Sequence, residues 1–192
     1  MDEFNENDVE QEPVIKYHSG KVIAFLLPFL LLYLLLNFVL LNAKVSGSAM
    51  EKGIPDGSFI LANRLAYNSD EPKRGDIIIY SYGEMDVIRR ILGVPGDRIV
   101  VDTMYDRILV NDIPVAEDYV TKTEAYNEPV DVTLGTDEYF VVGDNRDKSV
   151  DCRHYEGNCI KKYNIKGKVF LNYGFSPLRL KVVKGISEFV TD

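Results

Sequence analysis

Histidine and cysteine are each present only twice in the 192 residues, and this scarcity removes several kinds of chemistry at once. His18 precedes a long apolar run and only His154 follows it, so a Ser-His-Asp triad in the body of the chain would depend on His154 alone; a surface-loop position suits that residue better. Cys152, His154 and Cys159 lie within one short segment whose spacing matches no common zinc site, so no metal is expected. Positive charge is also short: 22 Lys and Arg stand against 30 Asp and Glu, a net charge of -8. Residues 1–15 hold six acids and no base, which excludes a nucleic-acid-binding arm and reads as a polar tail without periodicity.

Charge is missing altogether from Val22 to Ala43. As a helix, that stretch rises about 33 Å against a hydrocarbon core of about 30 Å, enough to span a membrane. It is too long for the apolar core of a cleaved leader, and no A-x-A-like site closes it. The expected organisation is a tail over 1–21, a transmembrane helix over 22–43 and one further domain over 44–192. Lys16 and Lys21 before the span against Lys44 after it place the N-terminus inside by the positive-inside bias. An oxidising compartment beyond the membrane favours a Cys152–Cys159 disulfide over a metal, closing a small loop for about 2.5 kcal/mol; two free thiols are the alternative.

After the span the period changes. Short β-rich runs appear at Ser58–Ala66, Asp76–Tyr82, Asp86–Leu92, Arg98–Asp102, Arg107–Val110, Val130–Leu134, Glu138–Val142, Ile165–Asn172 and Leu180–Val183, separated by turn signals such as Pro95-Gly96-Asp97. The expectation is a mostly β ectodomain. Ile77-Ile78-Ile79-Tyr80 is too apolar for a strand with one wet face and belongs at the centre of a sheet. Residues 116–129 and 145–163 read as long loops.

Three motifs carry the chemistry. The first is Val45-Ser46-Gly47-Ser48-Ala49-Met50-Glu51-Lys52-Gly53-Ile54-Pro55-Asp56-Gly57, directly after the apolar run. The second is Arg89-Arg90-Ile91-Leu92-Gly93-Val94-Pro95-Gly96-Asp97. The third is Gly143-Asp144-Asn145-Arg146-Asp147-Lys148-Ser149-Val150-Asp151-Cys152-Arg153. In this order, behind a single span, they resemble the three boxes of the type I signal peptidases, membrane-tethered Ser/Lys endopeptidases, in the single-span Gram-positive form. The family patterns read roughly S-M-x-P-T-L-x-x-G-D, K-R-x-x-G-x-P-G-D and G-D-N-R-x-x-S-x-D-S-R.

The resemblance implies a signal-peptidase-like β fold, and it assigns roles residue by residue. Ala49 stands at the nucleophile position, where it has no atom that can attack a carbonyl. Gly47, Ser48 and Met50 flank it as substrate-binding positions, and the Ala49 N–H is a candidate oxyanion donor. Using Ser48 as nucleophile would need a one-residue gap in the alignment. Arg89 stands at the general-base position, where the family has Lys; a guanidinium, whose ordinary pKa exceeds about 12, keeps its proton at neutral pH. Ser149 would hydrogen-bond the base, and Asp151 and Arg153 would pair to hold the loop against it. Further departures are Lys52-Gly53 for Pro-Thr, Ser58 for the Asp after Gly57, and Cys152 for Ser.

The leading functional reading is a membrane-anchored, catalytically disabled member of that family, without cofactor. It would bind a secreted precursor or a pilin subunit in a strand-accepting cleft close to the outer membrane surface and assist pilus assembly; the chain resembles the disabled relatives, encoded in some Gram-positive pilus gene clusters, that assist pilin assembly. The second reading is an active signal peptidase carrying Ala49 as an introduced substitution, which leaves Arg89, Lys52 and Gly53 without an explanation.

Overall fold

The structure, a computed structural model, describes residues 19–122, 126, 128–173 and 181–182. The chain divides into two compact units, Met1–Leu36 and Asn37–Asp192. The first contains most of helix α1, Ser19–Val39. Within it Gly20–Val39 has a mean hydropathy of 2.6 and none of that window is buried, so this helix is long and apolar enough to cross a membrane.

The helix ends earlier than expected. Leu40–Lys44, read from sequence as the last turn of the span and its flank, is strand β1, paired antiparallel with β2, Phe59–Asn63. An unbroken apolar run carries no period, so local sequence cannot say where helix gives way to strand; the ladder with β2 decides it. The expected 22–43 helix is corrected by those last four residues.

The second unit follows as β3, Ile77–Tyr82; β4, Met85–Gly93; β5, Arg98–Asp102; β6, Arg107–Val110; β7, Ile113–Pro114; β8, Val130–Thr133; β9, Glu138–Val142; β10, Ile160–Lys161; β11, Ile165–Asn172; and β12, Lys181–Val182. They build an eight-stranded sheet in the order β1-β2-β11-β3-β4-β9-β10, with β12 beside β11, and a four-stranded sheet in the order β7-β6-β5-β8. The expected mostly β architecture is observed, and each expected strand coincides with an observed one. The two-residue strands β7 and β10 are too short to show an alternation and were not foreseen.

The strand β3 occupies the middle of the large sheet, as its apolar run requires. Alternate side chains leave opposite faces of a strand. Ile78 and Tyr80 join a core shared with the small sheet through Ile99, Val101, Ile108 and Val110. Ile77 and Ile79 join a second core with Val45, Met50, Ile54, Ile60, Ala62 and Val169. The second core seats the segment carrying the first motif, because Met50 and Ile54 are its anchors.

Candidate functional site

A groove of about 530 Å³ is bounded by Leu41–Met50, by Met85–Arg89 with Ile79, and by Lys148 and Val150. Among the described residues, the strand β1 is the edge of the large sheet and pairs with β2 alone, an arrangement to which a further strand can add.

The turn that carries Ala49 is held from both ends. Val45 donates its N–H to Ser58 O at 2.8 Å, Gly57 donates to Val45 O at 3.0 Å, and Ile54 donates to Met50 O at 2.8 Å. Gly47, at φ +102°, uses a backbone region that side chains avoid and donates its N–H to Asp56 Oδ1 at 2.8 Å. Its N–H is therefore engaged within the turn. Among the described residues, no partner meets the Ala49 N–H, while the Ala49 carbonyl accepts from Asn145 N at 2.9 Å. Ser48 and Ala49 both border the groove. Met50 borders it too, but at 2% exposure its side chain is a core anchor more than a binding surface.

Arg89 and Arg90 are consecutive on β4 and diverge, as strand neighbours must. Arg90 makes a two-point pair with Asp144, Nε to Oδ1 at 2.8 Å and Nη2 to Oδ2 at 2.6 Å, and donates to Gly75 O at 3.0 Å. Arg89 lines the groove and is spent on carbonyls: Nη1 donates to Ile88 O at 2.6 Å and Nη2 to Val150 O at 2.8 Å. Val150 O also accepts the Tyr155 hydroxyl at 3.3 Å, and the buried Tyr155 and Tyr80 hydroxyls lie 2.8 Å apart. Burial pushes the Tyr80 phenol far up, with its bond to Tyr155 acting in the same direction, so this chain of hydroxyls stays neutral.

The third motif forms a buried lattice around Asp151, which is fully enclosed. Its carboxylate accepts Ser149 Oγ at 2.6 Å, Gly143 N at 2.9 Å, and Arg153 Nε and Nη2 at 2.8 and 3.0 Å. Burial alone would push this carboxyl up; the Arg153 guanidinium, with Ser149 and the Gly143 N–H, outweighs it and holds the group below the usual carboxylate range. Arg153 further caps the carbonyls of Arg146 and Ser149 at 2.9 and 3.2 Å. Arg146 is clamped by Glu117 and by the Tyr126 hydroxyl. The pairing of Asp151 with Arg153 is as expected from the motif. Ser149 differs: its hydroxyl turns to Asp151, and the groups that receive Arg89 are backbone carbonyls.

Gly143 couples this lattice to the Ala49 turn. A Cβ there would overlap the Ser149 hydroxyl and stand 2.6 Å from Ala49 O, so only glycine lets the two segments meet. The turn itself departs from what its resemblance suggests, because Lys52 has φ 85°. Proline, with φ locked near −65°, cannot occupy that conformation. The lysine is thus accompanied by a different backbone, and not merely a different side chain.

Cys152 and Cys159 are free thiols, one of the two alternatives that the sequence left open. Cys152 is buried and its Sγ accepts the Val141 N–H at 3.3 Å. Burial raises the Cys152 thiol well above its ordinary pKa, so it stays protonated and inert. His154 is partly exposed, 3.9 Å from Asp151 Oδ1 and outside the groove lining. Lys44, Asp86, Lys148 and Val150 border the groove without having been singled out from sequence, since no local pattern brings residues so far apart in the chain to one surface.

Residues 19–174 match the sequence model of the family described as signal peptidase, peptidase S26. Signal peptidase I S of Bacillus subtilis (strain 168) is 27% identical over 185 residues, covering 91% of this chain and 97% of that protein. Signal peptidase I of Bacillus licheniformis is 30% identical over 169 residues, covering 81% and 89%. Signal peptidase IB of Staphylococcus aureus (strain N315) is 25% identical over 168 residues, covering 79% and 87%. A crystal structure of a signal peptidase I from Enterococcus faecalis V583 is 27% identical and covers 52% of this chain and 97% of that one, with a TM-score of 0.43. The match of the family model to most of the chain, together with full-length relatives at up to 30% identity, shows that the chain belongs to the signal peptidase S26 family.

Proposed function

We propose that this family member is anchored in the cell membrane by α1 with its N-terminus on the cytoplasmic side, and that it holds an extended segment of a secreted precursor in the groove without cutting it. The observation that carries the reading is the pair at the nucleophile and base positions. Ala49 has no oxygen to form an acyl bond. Arg89 offers no lone pair to accept a proton, and it already donates to the Ile88 and Val150 carbonyls. Hydrolysis requires both, and loss of a nucleophile alone costs on the order of a millionfold in turnover. Strand addition to β1 requires neither. The resemblance to disabled relatives encoded in pilus gene clusters supports a pilin subunit as the client.

The test uses the full chain in detergent with a fluorescent signal-peptide substrate. The unaltered chain is expected to leave the substrate uncut and to raise its anisotropy. Ala49→Ser alone should stay at background, because Arg89 still cannot act as base; only Ala49→Ser with Arg89→Lys should gain cleavage. Cleavage by the unaltered chain sinks the reading. Full activity on restoring Ser at position 49 alone would favour an active peptidase carrying one introduced change.

A further inference from the structure

The buried arginines of the second unit are Arg89, Arg90, Arg146 and Arg153, and one is unlike the rest. Arg90 has Asp144, Arg146 has Glu117 and Arg153 has Asp151 as a carboxylate partner. Arg89, 9% exposed, has no carboxylate partner among the described residues. Two of its N–H groups reach carbonyls, and its buried Nε donates to nothing. A guanidinium has five N–H donors; beyond these two bonds and the enclosed Nε, one hydrogen on each Nη remains for a ligand. A buried cation without a counter-charge is unfavourable, and a carboxylate is the group that best relieves it, because its two oxygens match the guanidinium fork.

The rest of the groove agrees in sign. Lys44 and Lys148 border it with Arg89, and its one bordering acid, Asp86, is already taken by Lys166 at 2.6 Å. The groove is locally positive in a chain whose net charge is -8. Most of its other lining is apolar, including Leu41, Ala43, Ile79 and Ile88, with the uncharged Asn42, Ser46 and Ser48 between, beside the edge of β1 that is unpaired among the described residues. Apolar walls and a backbone edge suit an uncharged extended chain, with negative charge welcome at one point.

We propose that the groove captures the free C-terminal carboxylate of an extended peptide, with the chain end at Arg89 and the preceding residues added to the edge of β1. A terminal carboxylate places its charge at the end of the strand, whereas an acidic side chain would have to enter through the apolar wall. The Ala49 N–H, without a partner among the described residues, is a second donor for the same end. This inference rests on the reading that the groove holds peptide without hydrolysing it, and it names the ligand class. The substitution of Arg for an amine that must be neutral to act as a base then has a consequence of its own: a permanent cation where a peptide ends.

The experiment measures fluorescence anisotropy of the full chain in detergent with four labelled peptides. One is an apolar heptapeptide ending Ala-Val-Ala as the free acid, and the second is its C-terminal amide. The third carries the heptapeptide through into six further residues, and the fourth is the amide with one internal Glu. The acid is expected to bind at least tenfold more tightly than the amide, with the Glu-containing amide no better than the plain amide. The tenfold ratio should fall to within twofold in Arg89→Gln and be partly retained in Arg89→Lys. Equal binding of acid and amide by the unaltered chain overturns the inference, and that comparison needs no variant to fold. So does preference for the internal Glu, or for the carried-through peptide over the acid. Cleavage of the carried-through peptide would instead overturn the proposed function, leaving the acid-to-amide ratio to be judged separately.

Discussion

Two segments meet at the groove and have been treated differently. Among the described residues, the loop from Gly143 to Arg153 leaves no buried side-chain polar atom without a partner: Asp151 alone accepts five bonds from three residues, and Arg146 and Arg153 each have a carboxylate. Across from it, Ala49 has no reacting atom and Arg89 has no counter-ion among the described residues. On the proposed reading, the change at positions 49 and 89 left the lattice beside them intact. The difference teaches that the lattice is structural in its own right, because a buried carboxylate that loses its partners is costly whether or not a bond is cut nearby.

That contrast can be broken most forcefully at Asp151. Asp151→Ala would leave Arg153, Ser149 and the Gly143 N–H unsatisfied, and a loss of about 3–5 kcal/mol in urea unfolding is expected. Arg89→Gln removes a cation with no buried counter-ion and should change stability by no more than about 1 kcal/mol. If the two variants lost comparable stability, the two segments would not differ as described. Acid should reveal the same asymmetry. The folded Asp151 carboxyl lies below its unfolded pKa, so its contribution is present above the unfolded value of about 4 and is lost as pH falls through the folded value. Urea midpoints taken downward from pH 5 should therefore decline in the parent and in Arg89→Gln, and less steeply in Asp151→Asn.

The place where the segments touch gives a smaller effect. Gly143→Ala must displace Ser149 or the Ala49 carbonyl, at a cost of about 1–3 kcal/mol. It should also alter peptide binding in the groove, whereas Gly83→Ala, where a Cβ meets nothing within 4 Å, should disturb stability only through its positive φ. The smallest effect belongs to the turn. Lys52→Gly relieves a left-handed lysine and should raise the thermal midpoint by the equivalent of about 1 kcal/mol, while Lys52→Pro, the residue the family pattern would place there, should lower it. A stabilising Lys52→Pro would mean that the turn has the ordinary backbone after all.

Much of this was legible in the chain itself. The apolar run marked α1, alternation and turn residues marked the strands, and Ile77–Tyr80 announced the central strand because burial on both faces demands apolar residues at successive positions. The three motifs marked the segments that form the site. Partners across the chain were not legible: Ser149 turning to Asp151, Arg89 reaching Val150, and Glu117 clamping Arg146 from a stretch read only as loop. A residue's type states what it can bond, not what stands beside it.

What the residues determined alone is what two side chains can offer: in any fold Ala49 has no hydroxyl and the Arg89 guanidinium has no lone pair to accept a proton. What only the tertiary structure decided is the ending of the helix at Val39, the left-handed Lys52, the free thiols and the unmatched charge of Arg89. Each depends on which distant segment packs against it. Helix and strand compete for the same apolar run until β2 supplies a ladder, and a cation is compensated or not according to which carboxylates the fold brings within reach.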